Sequence, residues 1–81
     1  MLTITMKNGE HRFFDEHGKP LSHADGLKRL RKMKGWSTSH LAERLGVSGR
    51  TVQGWEGGRP MPAPILKLLR FVLDAGWRKL N

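Results

Sequence analysis

The 81-residue chain contains no cysteine, which excludes a disulfide framework and any thiolate metal site. It has no run of about 18 apolar residues, so no membrane-spanning helix is expected. Its first residues lack the basic segment and apolar core of a secretory signal. Together these absences predict a cytoplasmic protein. Acidic residues are scarce as well: seven Asp and Glu stand against fifteen Lys and Arg, a formal charge of +8. Such an excess favours a polyanion as partner. A chain this short supplies one thin core, and a second subunit is one way to enlarge it.

The basic excess is concentrated. Residues 27–61 hold Lys28, Arg29, Arg31, Lys32, Lys34, Arg44, Arg50 and Arg59 against Glu43 and Glu56 alone. No broad exposed apolar face accompanies them, which argues against a membrane surface. Lys28, Arg29, Lys32 and Lys34 read as solvated, with one or two near a phosphate. Acid-base catalysis is a poor fit, because His11, His17, His23 and His40 place no pair on one helix face and read as solvent-exposed. The glycine-rich segments lack the strand-loop-helix setting of a phosphate loop. No catalytic residue, metal or cofactor is expected.

Periodicity divides the chain in two. LTITM, KNGEH and RFFD alternate around Asn8-Gly9, the dipeptide best suited to a tight turn, and predict a hairpin. DEHGKP then breaks the pattern, and from Ser22 the period is helical. Ser22 caps a first helix with Asp25 three residues on, Leu27, Leu30 and Met33 fall on one face, and Gly35 stops it. Ser37 caps a second helix, with Trp36 and Leu41 placed to form a staple across the cap and Leu41, Ala42 and Leu45 facing inward. Gly46 can take the left-handed conformation of a sharp turn. Ser48 caps a third helix, Val47 and Val52 can form another staple, Val52 and Trp55 point inward, and Gly57-Gly58 ends it.

The turn between the second and third helices is thus about three residues long, and the small Ala42 allows close packing across it, the helix-turn-helix geometry. The stretch GWSTSHLAERLGVSGRTVQGWEGGRPMP resembles the xenobiotic-response-element (XRE) and phage-repressor type of helix-turn-helix in its Leu-Ala, Leu-Gly-Val-Ser, Thr-Val, Trp-Glu, Gly-Arg and Pro elements. The resemblance covers roughly Leu27 to Leu73. It implies that the outer face of the third helix, Gly49, Arg50, Gln53 and Gly54, reads bases in the major groove. Arg50 suits guanine and Gln53 adenine or a phosphate, while the glycines let the backbone approach DNA. Ser37, Thr38, Ser39, Ser48, Thr51 and Arg59 are the implied phosphate contacts, and Arg31 and Glu56 the implied salt bridge between the first and third helices. Thr38 and His40 depart from the family's usual glutamine and glutamate, and the shorter Thr38 suits a phosphate contact over a base contact.

The expected fold is all-α, a helix-turn-helix bundle of four to five helices at residues 22–81 behind a β-hairpin extension at 1–21. After Pro60, Pro62 and Pro64, the run ILKLLRFVLDAGW has more apolar surface than one helix face requires, so Ile65, Leu68, Leu69, Phe71 and Val72 are candidates for a homodimer contact, with edge pairing of the N-terminal strands as a second route. The resemblance implies a sequence-specific DNA-binding regulator on an inverted-repeat operator. Its simplest form is an autorepressor of a phage or mobile-element operon, such as an anti-CRISPR-associated regulator. The alternative is an antitoxin, with a toxin protein as its partner. RNA is disfavoured, since Trp36 and Trp55 are assigned to the core and leave no stacking platform.

Overall fold

The computed structural model describes residues 2–74. Three strands, β1 (Thr3–Lys7), β2 (Glu10–Phe14) and β3 (Pro20–Leu21), precede four helices, α1 (His23–Lys34), α2 (Thr38–Leu45), α3 (Gly49–Glu56) and α4 (Ala63–Asp74). Asn8 and Gly9 turn β1 into β2 with φ of 52° and 82°, the left-handed pair of a type I′ hairpin, whose twist matches that of the strands. The register runs from Thr3↔Phe14 to Lys7↔Glu10.

The fold is mixed α/β, with a three-stranded antiparallel sheet beside the four helices, and not the all-α bundle expected from the sequence. The reason lies in the segment that breaks the alternation. Asp15 Oδ1 accepts the N–H groups of His17 and Lys19, each at 2.9 Å, and Asp15 N–H donates to the Lys19 carbonyl at 2.9 Å. This side-chain-built turn reverses the chain into β3, which pairs with β2 at Phe13↔Leu21 and Phe14↔Pro20. The bond from Lys19 N–H, more than any other influence, holds the Asp15 carboxyl below its ordinary range. A two-residue strand is too short to show any period, so β3 leaves no pattern in the sequence.

Sheet and helices share one core. Ile4 and Phe13 are buried beside Leu27, Leu30, Leu41, Val52 and Leu69. Phe13 lies flat on α1 at Gly26, where a Cβ would overlap the phenyl ring. Only glycine lets the ring approach so closely. The sheet's inner face is covered by α1 beneath β2 and β3 and by α4 mainly beneath β1.

Local signals set the helix ends. The hydroxyls of Ser22, Ser37 and Ser48 each accept the N–H three residues on, from Asp25, His40 and Thr51, at 3.1 Å, which satisfies a donor the helix leaves free. Gly46 ends α2 at φ 76°, with Val47 N–H returning to the Ala42 carbonyl at 3.0 Å, a Schellman closure. Ala42 is buried, and α3 packs across α2 and α1. Two expectations fail here. Met33 is 54% exposed, because it falls off the arc of Leu27 and Leu30 on the last turn of α1. His11 is buried and His23 half-buried, since both lie where the sheet meets α1. There His23 Nε2 sits 3.3 Å from the His11 carbonyl, and its ring stands edge-on to Phe13.

Candidate nucleic-acid interface

Helix α3 is eight residues long, a rise of about 12 Å that matches the width of about 12 Å of the major groove. At roughly 100° per residue its inner and outer sides separate cleanly. Val52 and Trp55 are buried, whereas Arg50 and Gln53 are exposed and Gly49 and Gly54 half-buried. Buried packing on one side thus holds two polar side chains out on the other. Arg50 can donate two parallel N–H bonds to guanine, and Gln53 can donate and accept at adenine.

The two glycines do not have the same surroundings. A Cβ at Gly49 would meet only Ser39 Oγ, at 3.8 Å, which brings the start of α2 alongside the start of α3. A Cβ at Gly54 would meet Arg59, with Cδ at 3.4 Å and Nε at 3.7 Å. The Arg59 side chain therefore lies along the bare backbone of α3, helped by a bond from Arg59 N–H to the Gly54 carbonyl at 3.0 Å. Ser39, Gly49, Gly54 and Arg59 form a border beside Arg50 and Gln53. Neither glycine is held there by a steric clash; Gly49 leaves its stretch of backbone open to a close approach from outside, whereas Gly54 is lined by the Arg59 side chain.

Ser37 and Ser48 are exposed and Thr38 and Thr51 half-buried. The cap hydroxyls accept with a lone pair; Ser37 keeps its proton for an external oxygen, and the Ser48 and Thr51 hydroxyls, one of which donates to the other, keep one proton between them. The Thr51 hydroxyl lies 2.9 Å from that of Ser48, so these two act as one polar unit. The residues of this face include two guanidinium groups and no carboxylate, and the nearest acid on α3, Glu56, is engaged elsewhere.

The structure brings Glu56 against Arg31. Arg31 Nε donates to Glu56 Oε2 at 2.8 Å and a terminal nitrogen to Oε1 at 3.2 Å, while the other terminal nitrogen reaches the Trp36 carbonyl at 3.1 Å. The side chains are 19% and 10% exposed, so this bidentate pair is largely desolvated and geometrically specific. The hydrogen bond to Glu56 raises the Arg31 pKa against the opposing effect of burial. One guanidinium thereby joins α1, the α1–α2 connection and the end of α3.

A further cluster stiffens α2. The His40 ring stacks on Trp36 with centroids 5.0 Å apart at 11°, the Arg44 guanidinium lies 5.5 Å from the Trp36 centroid, and Arg44 Nε donates to His40 Nε2 at 3.2 Å. Trp36, His40 and Arg44 recur every four residues, from just before the α2 cap into the helix, and that spacing is the signal in the sequence for the stack. The sequence alone places Trp36 against Leu41 and His40 in solvent, and the structure instead sets the two rings against each other.

On α4 the apolar run divides. Leu69 and Val72 are buried and Ile65 half-buried against the core, whereas Leu68 is 37% and Phe71 59% exposed. Ala75, Gly76 and Trp77 of the same run lie outside the described residues. Among the described residues there is no group of three potential metal ligands, and no helix is long and apolar enough to cross a membrane.

Comparison with known proteins agrees with this geometry. Residues 24–72 match the family model described as a helix-turn-helix domain, a DNA-binding module of the XRE-like type. No curated protein and no solved structure matches the chain.

Proposed function

The chain belongs to the XRE-like helix-turn-helix family, and from that premise we propose that it is a homodimeric, sequence-specific transcriptional repressor that binds an inverted repeat, most simply in its own promoter. The observation that supports this most is the outer face of α3, where Arg50 and Gln53 project beside the bare backbone of Gly49 and the Arg59 side chain that lies along Gly54. In this reading Arg50 and Gln53 read base edges. Ser37, Thr38, Ser39, Ser48, Thr51 and Arg59 grip phosphates, and the Arg31–Glu56 pair fixes the angle at which α3 enters the groove. The protein acts in the cytoplasm, and it represses by occluding the promoter, in the manner of the short single-domain regulators of phages and mobile elements.

One helix-turn-helix covers only a few base pairs, too few to discriminate against genomic competitors. A two-fold dimer presents two α3 helices to successive major grooves about 34 Å apart, which places half-site centres about 10 to 11 base pairs apart. The test is a footprint on the DNA upstream of the gene, followed by titration of the protected site. The expected result is an inverted repeat whose affinity falls steeply with salt, and which drops to that of a single half-site when about five base pairs are inserted between the halves. Equal affinity for unrelated duplexes at the same salt would refute sequence-specific regulation.

A further inference from the structure

We infer that the outer edge of β1 is the dimerisation surface, pairing antiparallel with β1 of a second copy of this chain. The inference rests on the dimeric reading above and adds the surface to it.

The two edges of the sheet are handled differently. The order is β1-β2-β3, so β1 and β3 are the outer strands. β3 has two residues and begins with Pro20, two of the devices by which natural sheets discourage edge pairing. β1 has five residues, TITMK, in unbroken register with β2, with no bulge, no proline and a single charge at its end. Among the described residues no strand pairs with its outer side. Residues flanking a two-residue hairpin turn exchange backbone bonds, and the pattern alternates from there. Lys7, Thr5 and Thr3 therefore direct their N–H and C=O groups to β2, and Ile4 and Met6 direct theirs outward.

That edge is complementary to itself. A two-fold axis at Thr5 sets Ile4 opposite Met6 of the partner subunit, where each pair exchanges two backbone bonds. The two Thr5 side chains then face each other on the outer side of the sheet, a favourable cross-strand pair. Lys7 falls opposite Thr3 of the partner subunit, so two chains of charge +8 join without apposing lysines. The strand pair alone is too small, because a stable interface takes about 800 Å² from each partner, roughly a seventh of the 5219 Å² surface of this chain. Helix α4 packs beneath β1 and can supply the remainder, with Leu68 37% and Met6 53% exposed.

The absence of cysteine makes the test clean. Thr5→Cys introduces the sole thiol, at a non-hydrogen-bonded cross-strand position where Cα atoms approach to about 4.5 Å, within disulfide reach. On oxidation it should run as a covalent dimer, while Lys28→Cys, exposed on α1, should not. Thr5→Lys, on an exposed residue, sets two ammonium groups face to face. It should melt within a few degrees of wild type and sediment as a monomer where wild type is a dimer. Its affinity for the inverted repeat should fall at least about 100-fold, the advantage that linking two binding modules confers, while single half-site affinity stays unchanged. A Thr5→Lys protein that still sediments as a dimer, a Thr5→Cys protein that cross-links no better than Lys28→Cys, or a monomeric wild type overturns the inference. Sedimentation and cross-linking need no DNA, so a failure of half-site binding by wild type would sink the DNA reading separately.

Discussion

Gly26→Ala sets two effects of known sign against each other. Gly26 is buried in the interior of α1, and alanine there should stabilise the helix by about 1 kcal/mol. The new methyl group, however, enters the phenyl ring of Phe13 at Cγ and both Cδ atoms, the base of the ring and not a flexible tip. Phe13 is fully buried and sits opposite Ile4 across the hairpin, so the ring has no free volume to enter. Either α1 and the sheet separate, at the cost of about 1 to 3 kcal/mol typical of overpacking, or the ring is expelled, which approaches the roughly 3 to 5 kcal/mol of a Phe→Ala truncation. After the propensity gain, a net loss of about 0 to 2 kcal/mol remains for the first route and about 2 to 4 kcal/mol for the second, centred on about 2 kcal/mol. For a domain of this size each kcal/mol moves Tm by about 4 to 8 °C. The variant should therefore melt roughly 5 to 20 °C below wild type by circular dichroism. Phe13→Leu in the same chain should recover part of that loss, because the smaller side chain can yield to the methyl group. A Gly26→Ala protein that melts above wild type would show that helix propensity decides at this position and that Phe13 does not rest on Gly26.

Three further outcomes follow from the geometry. Arg50→Ala should leave the melting temperature unchanged and weaken operator binding by about 1 to 3 kcal/mol, the value of a bidentate base contact; unchanged affinity in a gel-shift titration would remove Arg50 from the reading face. Trp55→Ala, at a side chain 5% exposed, should destabilise by roughly 3 to 5 kcal/mol, and a melt within a degree or two of wild type would contradict that burial. Arg31→Ala strands the Glu56 carboxylate, 10% exposed, and should destabilise by about 3 kcal/mol; the Arg31→Ala/Glu56→Ala pair should recover much of this, and strict additivity of the single losses would refute a direct coupling.

Legibility followed range. Ser22, Ser37 and Ser48 act as caps within three residues of themselves, and Gly46 closes α2 through bonds to residues just before it, so the three helices and the three-residue turn could be read from local spacing. The exposed side of α3 followed from where Val52 and Trp55 had to point. What the reading missed depended on partners far along the chain or on segments too short for a period. β3 exists because Asp15 folds a turn and β2 offers an edge, and two residues carry no alternation of their own. On α4, Leu69 and Val72 look as available as Leu68 and Phe71 until the sheet covers one side and leaves the other.

A basic, cysteine-free chain with a capped helix-turn-helix is already written in the residue order, because caps, glycine turns and helical periodicity are energies of near neighbours. Folding in three dimensions is what builds the N-terminal strands into a three-stranded sheet within the core, sets Phe13 against a glycine at position 26, lays Arg59 along Gly54, and leaves one side of α4 exposed. Those outcomes turn on close packing between residues that the chain brings together only when it folds, where the shape of one side chain sets what the other position can hold.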